Sequence, residues 1–177
     1  MVVTRRRTTG LSRRELGAGA VAAVAALVAA LVSLVSLSVP TVDSLVSVDA
    51  RYWFGYAPGF ATLAGLVVGA VVWRRLVSRA STPGRGALAG AATGLGTVVA
   101  VPFVAGVYVL LFPVLLGLVT GTSWDTVLHV LPGYVQGAVD VTRTMAVDWS
   151  PLAVVVLVPL DALLGWAYQR GSGSRGR

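Results

Sequence analysis

The sequence contains no cysteine, no lysine and a single histidine, and only 12% of it is charged. Without a thiol there can be no disulfide, no thiolate metal ligand and no cysteine nucleophile. Without lysine, the phosphate-binding loop that relies on it is unavailable. No Ser-His-Asp arrangement and no pair of catalytic carboxylates is legible either, so the chain reads as non-enzymatic and cofactor-free. A soluble domain carries about 25% charged residues and about 45–50% apolar ones. This chain of 177 residues is 56% hydrophobic, with a mean hydropathy of +0.82. Such values argue against a water-soluble globule and against a disordered chain.

All 14 basic residues are arginine, and the formal net charge is +7. In a soluble protein this would suggest nucleic acid as a partner. Here the arginines flank apolar blocks, as expected where positive charge retains cytoplasmic loops. The partner they imply is the lipid bilayer, not nucleic acid.

Four blocks are long enough to cross a bilayer, which needs about 20 apolar residues. We place the spans at about 17–39, 58–77, 86–112 and 151–169. A basic segment, 1–16, precedes them, and a flexible basic tail, 170–177, follows. Pro40 is expected to end the first span, and Pro58 to begin the second. The stretch 86–124 carries no charge and would be about 58 Å long as one helix, almost twice a ~30 Å hydrocarbon core. Pro102 and Pro113 could break it into two crossings. Orientation favours one crossing, with the surplus tilted, kinked or projecting. Four spans leave only Arg51 and Arg143 of the 14 arginines outside, which satisfies the positive-inside bias. A cell-membrane location with both termini cytoplasmic follows. All five tryptophans then fall near an interface: Trp53, Trp124 and Trp149 outside, Trp73 and Trp166 inside.

Between the last two spans, residues 123–146 have helical amphipathicity. Asp125, His129, Gln136, Asp140 and Arg143 share one side, and Trp124, Val127, Leu128, Leu131, Val135, Ala138 and Val139 the other. This reads as an amphipathic helix lying on the outer membrane surface or capping the bundle, with a Thr122/Asp125 capping box and kinked or divided at Pro132-Gly133. Asp125 and His129 are too few for a metal site, which needs three or four convergent ligands; we take them as a solvated polar face. Arg51-Tyr52-Trp53-Phe54-Gly55-Tyr56, before the second span, reads as an interfacial anchor.

Asp161 is the single acid inside a span, about 15 Å from Pro151. An ionisable group at that depth is costly and faces a bundle interior or a watery cavity. Matching depths predicts Thr93 and Thr97 as its partners. Gly86, Gly90 and Gly94 recur every four residues, and Gly65 and Gly69 repeat the spacing. Removing Cβ at this interval lets a second helix approach closely, within the bundle or in a homo-oligomer.

The segment Ser12-Arg13-Arg14-Glu15-Leu16 and the Ala/Gly-rich run behind it resemble a twin-arginine export signal over about the first 40 residues. Gly17 stands where that signal has a second bulky residue, and no Ala-x-Ala site follows. The arginines are therefore read as the positive flank of an ordinary first span. The expectation is an all-α, polytopic integral membrane bundle of four transmembrane helices plus an outer amphipathic helix. It would serve as a scaffold or accessory subunit with a membrane-protein partner, or as a homo-oligomer. The alternative is a proton- or ion-linked transport component built on Asp161.

Overall fold

A computed structural model describes residues 13–44, 46–76 and 82–174. Those residues form helices with no strand among them: α1 (Arg13–Ser36), α2 (Pro40–Asp43), α3 (Val48–Phe54), α4 (Ala57–Leu76), α5 (Pro83–Thr120), α6 (Trp124–Thr144) and α7 (Ser150–Ser174). A π-helical turn, Met145–Trp149, joins α6 to α7. Four helical stretches are long and apolar enough to span a membrane.

Two helix pairs built on small residues make the bundle. α1 lies on α4, and α5 lies on α7, which is the most extensive pairing. In the first pair a Cβ on Gly65 would lie 2.9 Å from the Ala22 carbonyl, and one on Gly69 would lie 2.7 Å from Ala22 Cβ. In the second pair a Cβ on Gly86 would lie 2.5 Å from the Gly165 carbonyl. Backbones approach this closely only where Cβ is missing, and the gain is dispersion contact along the whole seam. Both glycine series are thus used between helices of one chain. The core between the pairs is correspondingly Ala-rich, closed by Phe54, Met145, Trp149 and Leu157.

Several expectations need correction. α1 ends at Ser36, and Pro40 opens α2 instead of ending the first span; a proline fits a first helical turn, where its missing N–H leaves nothing unpaired. α5, by contrast, agrees with the preferred reading of the third run as one long helix, running for 38 residues through Pro102 and Pro113 without a break. Each proline forfeits one backbone bond; the Thr142 hydroxyl of α6 donates to the Ala138 carbonyl of its own helix at 2.8 Å and lies 3.3 Å from the Pro102 carbonyl. Pro132-Gly133 does not divide α6. The Thr122/Asp125 box does not form; Ser123 occupies the cap without a side-chain cap bond, and Thr122 Oγ1 lies 2.7 Å from Thr120 Oγ1 instead.

Pro151 does not start a separate helix. A proline ring clashes with the carbonyl four residues earlier, and the π-helical widening just before Pro151 relieves that contact. The amphipathic segment is therefore continuous with the last span, giving one helical run from Trp124 to Gly171. The tail expected to begin at Arg170 is helical as far as Ser174. Residues 1–12, most of the basic segment, and Val77, the expected end of the second span, lie outside the described residues.

α6 turns back at Gly121, whose φ of 69° places it in the left-handed region open to glycine. It then packs antiparallel along the second half of α5. A Cβ on Gly117 would meet Val127, and one on Gly137 would meet Val109. α4 stops short of this hairpin: Phe60, near its start, packs at a tilt against Tyr108 with 5.5 Å between ring centroids. From Val109 to Thr120, α5 continues about 18 Å past that level at 1.5 Å per residue.

Candidate functional site

Asp161 sits on the α7 seam that faces α5. It is 3% exposed, and its Oδ2 has no hydrogen-bond partner. The carboxyl faces glycine: a Cβ on Gly94 would lie 3.2 Å from Asp161 Oδ2, and one on Gly90 would run into the Asp161 carbonyl. These two glycines make the space that allows an acid here.

The two threonines expected as partners lie on the correct helix at about the correct depth, but neither bonds the acid. Thr93 donates to the Ala89 carbonyl of its own helix at 2.8 Å. Thr97 is fully buried, and its hydroxyl is unpartnered. Depth matching fixes a level along the axis and leaves the direction of each hydroxyl open. A buried threonine readily turns its hydroxyl to the carbonyl one turn back.

Asp161 and Thr93 border a small void where all four long helices meet. Ala18, Val21 and Ala22 of α1, Trp73 of α4, Gly90 of α5, and Leu164, Gly165 and Tyr168 of α7 complete its wall. The void is small, near the least space that one water requires. The void extends from Asp161 toward the end of the bundle where α1 begins and α7 ends. There Trp73 and Tyr168 meet edge to face, with centroids 5.1 Å apart.

The remaining polar groups lie elsewhere. Asp125 and His129 are exposed on α6, and no group of three or more His, Asp or Glu capable of holding a metal occurs among the described residues. At the opposite end, Arg51 pairs with Asp43 at 3.0 Å on the surface, and Ser47 donates to Asp148 at 2.6 Å. The Tyr52 and Tyr56 hydroxyls lie 3.2 Å apart, and that hydrogen bond holds the Tyr52 phenol above its ordinary pKa.

The tryptophans divide. Trp166 is 40% exposed with the Arg170 guanidinium 5.0 Å over its ring, and Trp124 is exposed; both suit an interface. Trp149 does not: it is completely buried, its Nε1 lacks a partner, and it belongs to the core. The interface rule reports depth and leaves the direction of the ring open.

Comparison with protein-family models, curated proteins and solved structures finds no match in any of the three.

The hairpin is the second feature without an internal partner. Val127, Ala138 and Val141 are the buried positions of α6. Trp124, Leu128, Val135 and Val139, which share the same broad apolar side, stay exposed. On α5 a strip of exposed apolar residues runs through Leu95, Val99, Phe103 and Val107 and continues on the projecting part as Leu111, Leu115 and Leu118. Sequence periodicity located the α6 face correctly but not how little of it α5 covers.

Proposed function

We propose that this protein is a non-enzymatic scaffold or accessory subunit of a membrane assembly. It crosses a cell membrane four times with both termini cytoplasmic, and it contacts a membrane-embedded partner chain through the α5–α6 hairpin. Two aromatic tiers support the threading. Tyr56 and Trp73 mark the ends of α4, 17 residues apart, or about 26 Å along a helix, close to a ~30 Å hydrocarbon core. The arginine bias supports the orientation.

The observation that carries the partner reading is the uncovered apolar hairpin, which runs past the level where α4 begins. A patch of this extent marks an interaction surface. The α5 strip is continuous with the lipid-facing part of the same helix. A partner that follows it must itself be embedded, whereas the polar side of α6 (Asp125, His129, Gln136, Asp140, Arg143) stays in water.

Photo-crosslinkers in native membranes test this. A crosslinker at Leu115 or Leu118 should give a discrete protein adduct, and one at Leu63, exposed on α4, should give lipid adducts alone. The adduct mass identifies the partner as a second copy or another chain. Lipid adducts at all three positions would refute the partner reading.

Asp161 favours a second reading, a proton- or ion-linked component of a transport system. Its test is flux in liposomes, which Asp161→Asn should abolish; equal flux in the variant would remove it.

A further inference from the structure

We propose that the end of the bundle where α1 begins and α7 ends carries a binding site for an anionic phospholipid, its headgroup phosphate held between Arg85 of α5 and Arg170 of α7. Each long helix brings arginine to this end. Arg13 and Arg14 open α1, Arg74 and Arg75 close α4, Arg85 lies in the first turn of α5, and Arg170 lies near the end of α7. Packing sets these positions at one level. A Cβ on Gly17 would lie 3.1 Å from the Tyr168 hydroxyl, and Tyr168 meets Trp73 edge to face. A Cβ on Gly86 would lie 2.7 Å from Gln169 Cβ. Arg85 and Arg170 are the chain neighbours of that last pair, so they flank one seam on adjacent helices.

Charge and the order of residues along each helix specify the ligand. Of the seven acids in the sequence, only Glu15 falls at this end; Asp161 lies within a span, and the other five fall in 43–49 and 125–148. Most of the balancing charge must therefore come from outside the chain. Three residues inward from Arg85, on the same helical face, Leu88 is exposed. Four and seven residues inward from Arg170, Trp166 and Leu163 are exposed. Each arginine thus heads an uncovered apolar strip, which matches a phosphate above acyl chains and not a free anion in water. The Arg170 guanidinium is held 5.0 Å over the Trp166 ring. That contact restricts the side chain in advance, so less freedom is lost when its planar fork bonds a phosphate.

The site needs the bundle to span a bilayer, as proposed above, but not a particular direction of threading or a partner on the hairpin, so those readings and this one fail separately. The test is native mass spectrometry of the full chain in detergent, titrated with dioleoyl phosphatidylglycerol or with dioleoyl phosphatidylcholine. The first phosphatidylglycerol should bind at least about fivefold more tightly than phosphatidylcholine, the ratio expected for one arginine at an anionic headgroup. Arg85→Gln and Arg170→Gln should each weaken it by about fivefold and leave phosphatidylcholine binding unchanged. Both arginines are exposed, so both variants should fold. Arg143→Gln, at an exposed position on α6, should bind phosphatidylglycerol as the parent does. Inorganic phosphate at the same concentration should not displace the lipid. Equal affinity for the two lipids would overturn the site, as would Arg85→Gln or Arg170→Gln behaving like Arg143→Gln. Displacement by inorganic phosphate would also overturn it, leaving a general anion site in place of a lipid site.

Discussion

Gly90→Ala should be among the most damaging single-methyl changes available in this protein. The added Cβ would collide with the Asp161 carbonyl, with Ala162 Cα 3.1 Å away. Both obstacles are backbone, so no side chain can swing aside, and α5 and α7 must separate along their seam. Overpacking typically costs about 1–3 kcal/mol, and a rigid backbone contact belongs at the upper end. Gly94→Ala, whose nearest contacts lie at 3.0–3.2 Å, should cost less. Gly133→Ala has nothing within 4 Å; replacing a mid-helix glycine there should be neutral or gain up to about 1 kcal/mol. Unfolding midpoints of the three variants in mixed micelles should therefore rank in the order Gly133, Gly94, Gly90. Equal midpoints for Gly90→Ala and Gly133→Ala would mean that the α5–α7 seam is not as closely packed as described.

Trp149→Ala should be comparably severe, for the opposite reason. The indole is fully buried in the core beside Met145 and Leu157. Emptying a site of that size costs about 3–5 kcal/mol when the surroundings cannot collapse. Trp149→Phe keeps most of the packing and removes the unpartnered indole N–H, whose burial itself costs about 1–3 kcal/mol; the two effects offset, and the variant should lie within about 1.5 kcal/mol of the parent. Trp166→Ala, at an exposed ring, should be mild. A Trp149→Ala variant as stable as Trp166→Ala would return Trp149 to the interface and out of the core.

These two residues mark where the sequence was and was not legible. The number of helices long and apolar enough to span followed from apolar run length, because a bilayer sets the length a crossing needs. The burial of Asp161 between helices followed from the cost of an ionisable group in an apolar run, and the four-residue glycine spacing announced a close seam. Which helix each glycine series would meet was not legible, since spacing describes one surface without naming its mate. The partners of Asp161 were misassigned for the same reason: Thr93 and Thr97 share its level, but glycine, which offers no polar signal, occupies the facing positions. Proline was over-read as a breaker at Pro132 and Pro151, whereas the preferred single helix through Pro102 and Pro113 is what forms. At Pro151 a π turn makes room for the ring and the helix continues. Continuity of α6 with α7 and the projection of the hairpin both depend on that.

The lack of native cysteine makes the decisive measurement clean. Single nitroxide labels at the exposed α5 positions Leu88, Leu95, Val99, Phe103, Val107, Leu111, Leu115 and Leu118, in nanodiscs, report collisions with oxygen, which concentrates in lipid, and with a water-soluble nickel chelate. Four-fold threading with a projecting hairpin requires oxygen-dominated values that peak between Leu95 and Phe103 and fall beyond Val107. Leu115 and Leu118 should be reached by the nickel chelate in the isolated protein. A lipid signature that continues undiminished to Leu118 would place the hairpin inside the bilayer, and water accessibility at Leu95 and Phe103 would contradict the membrane threading itself.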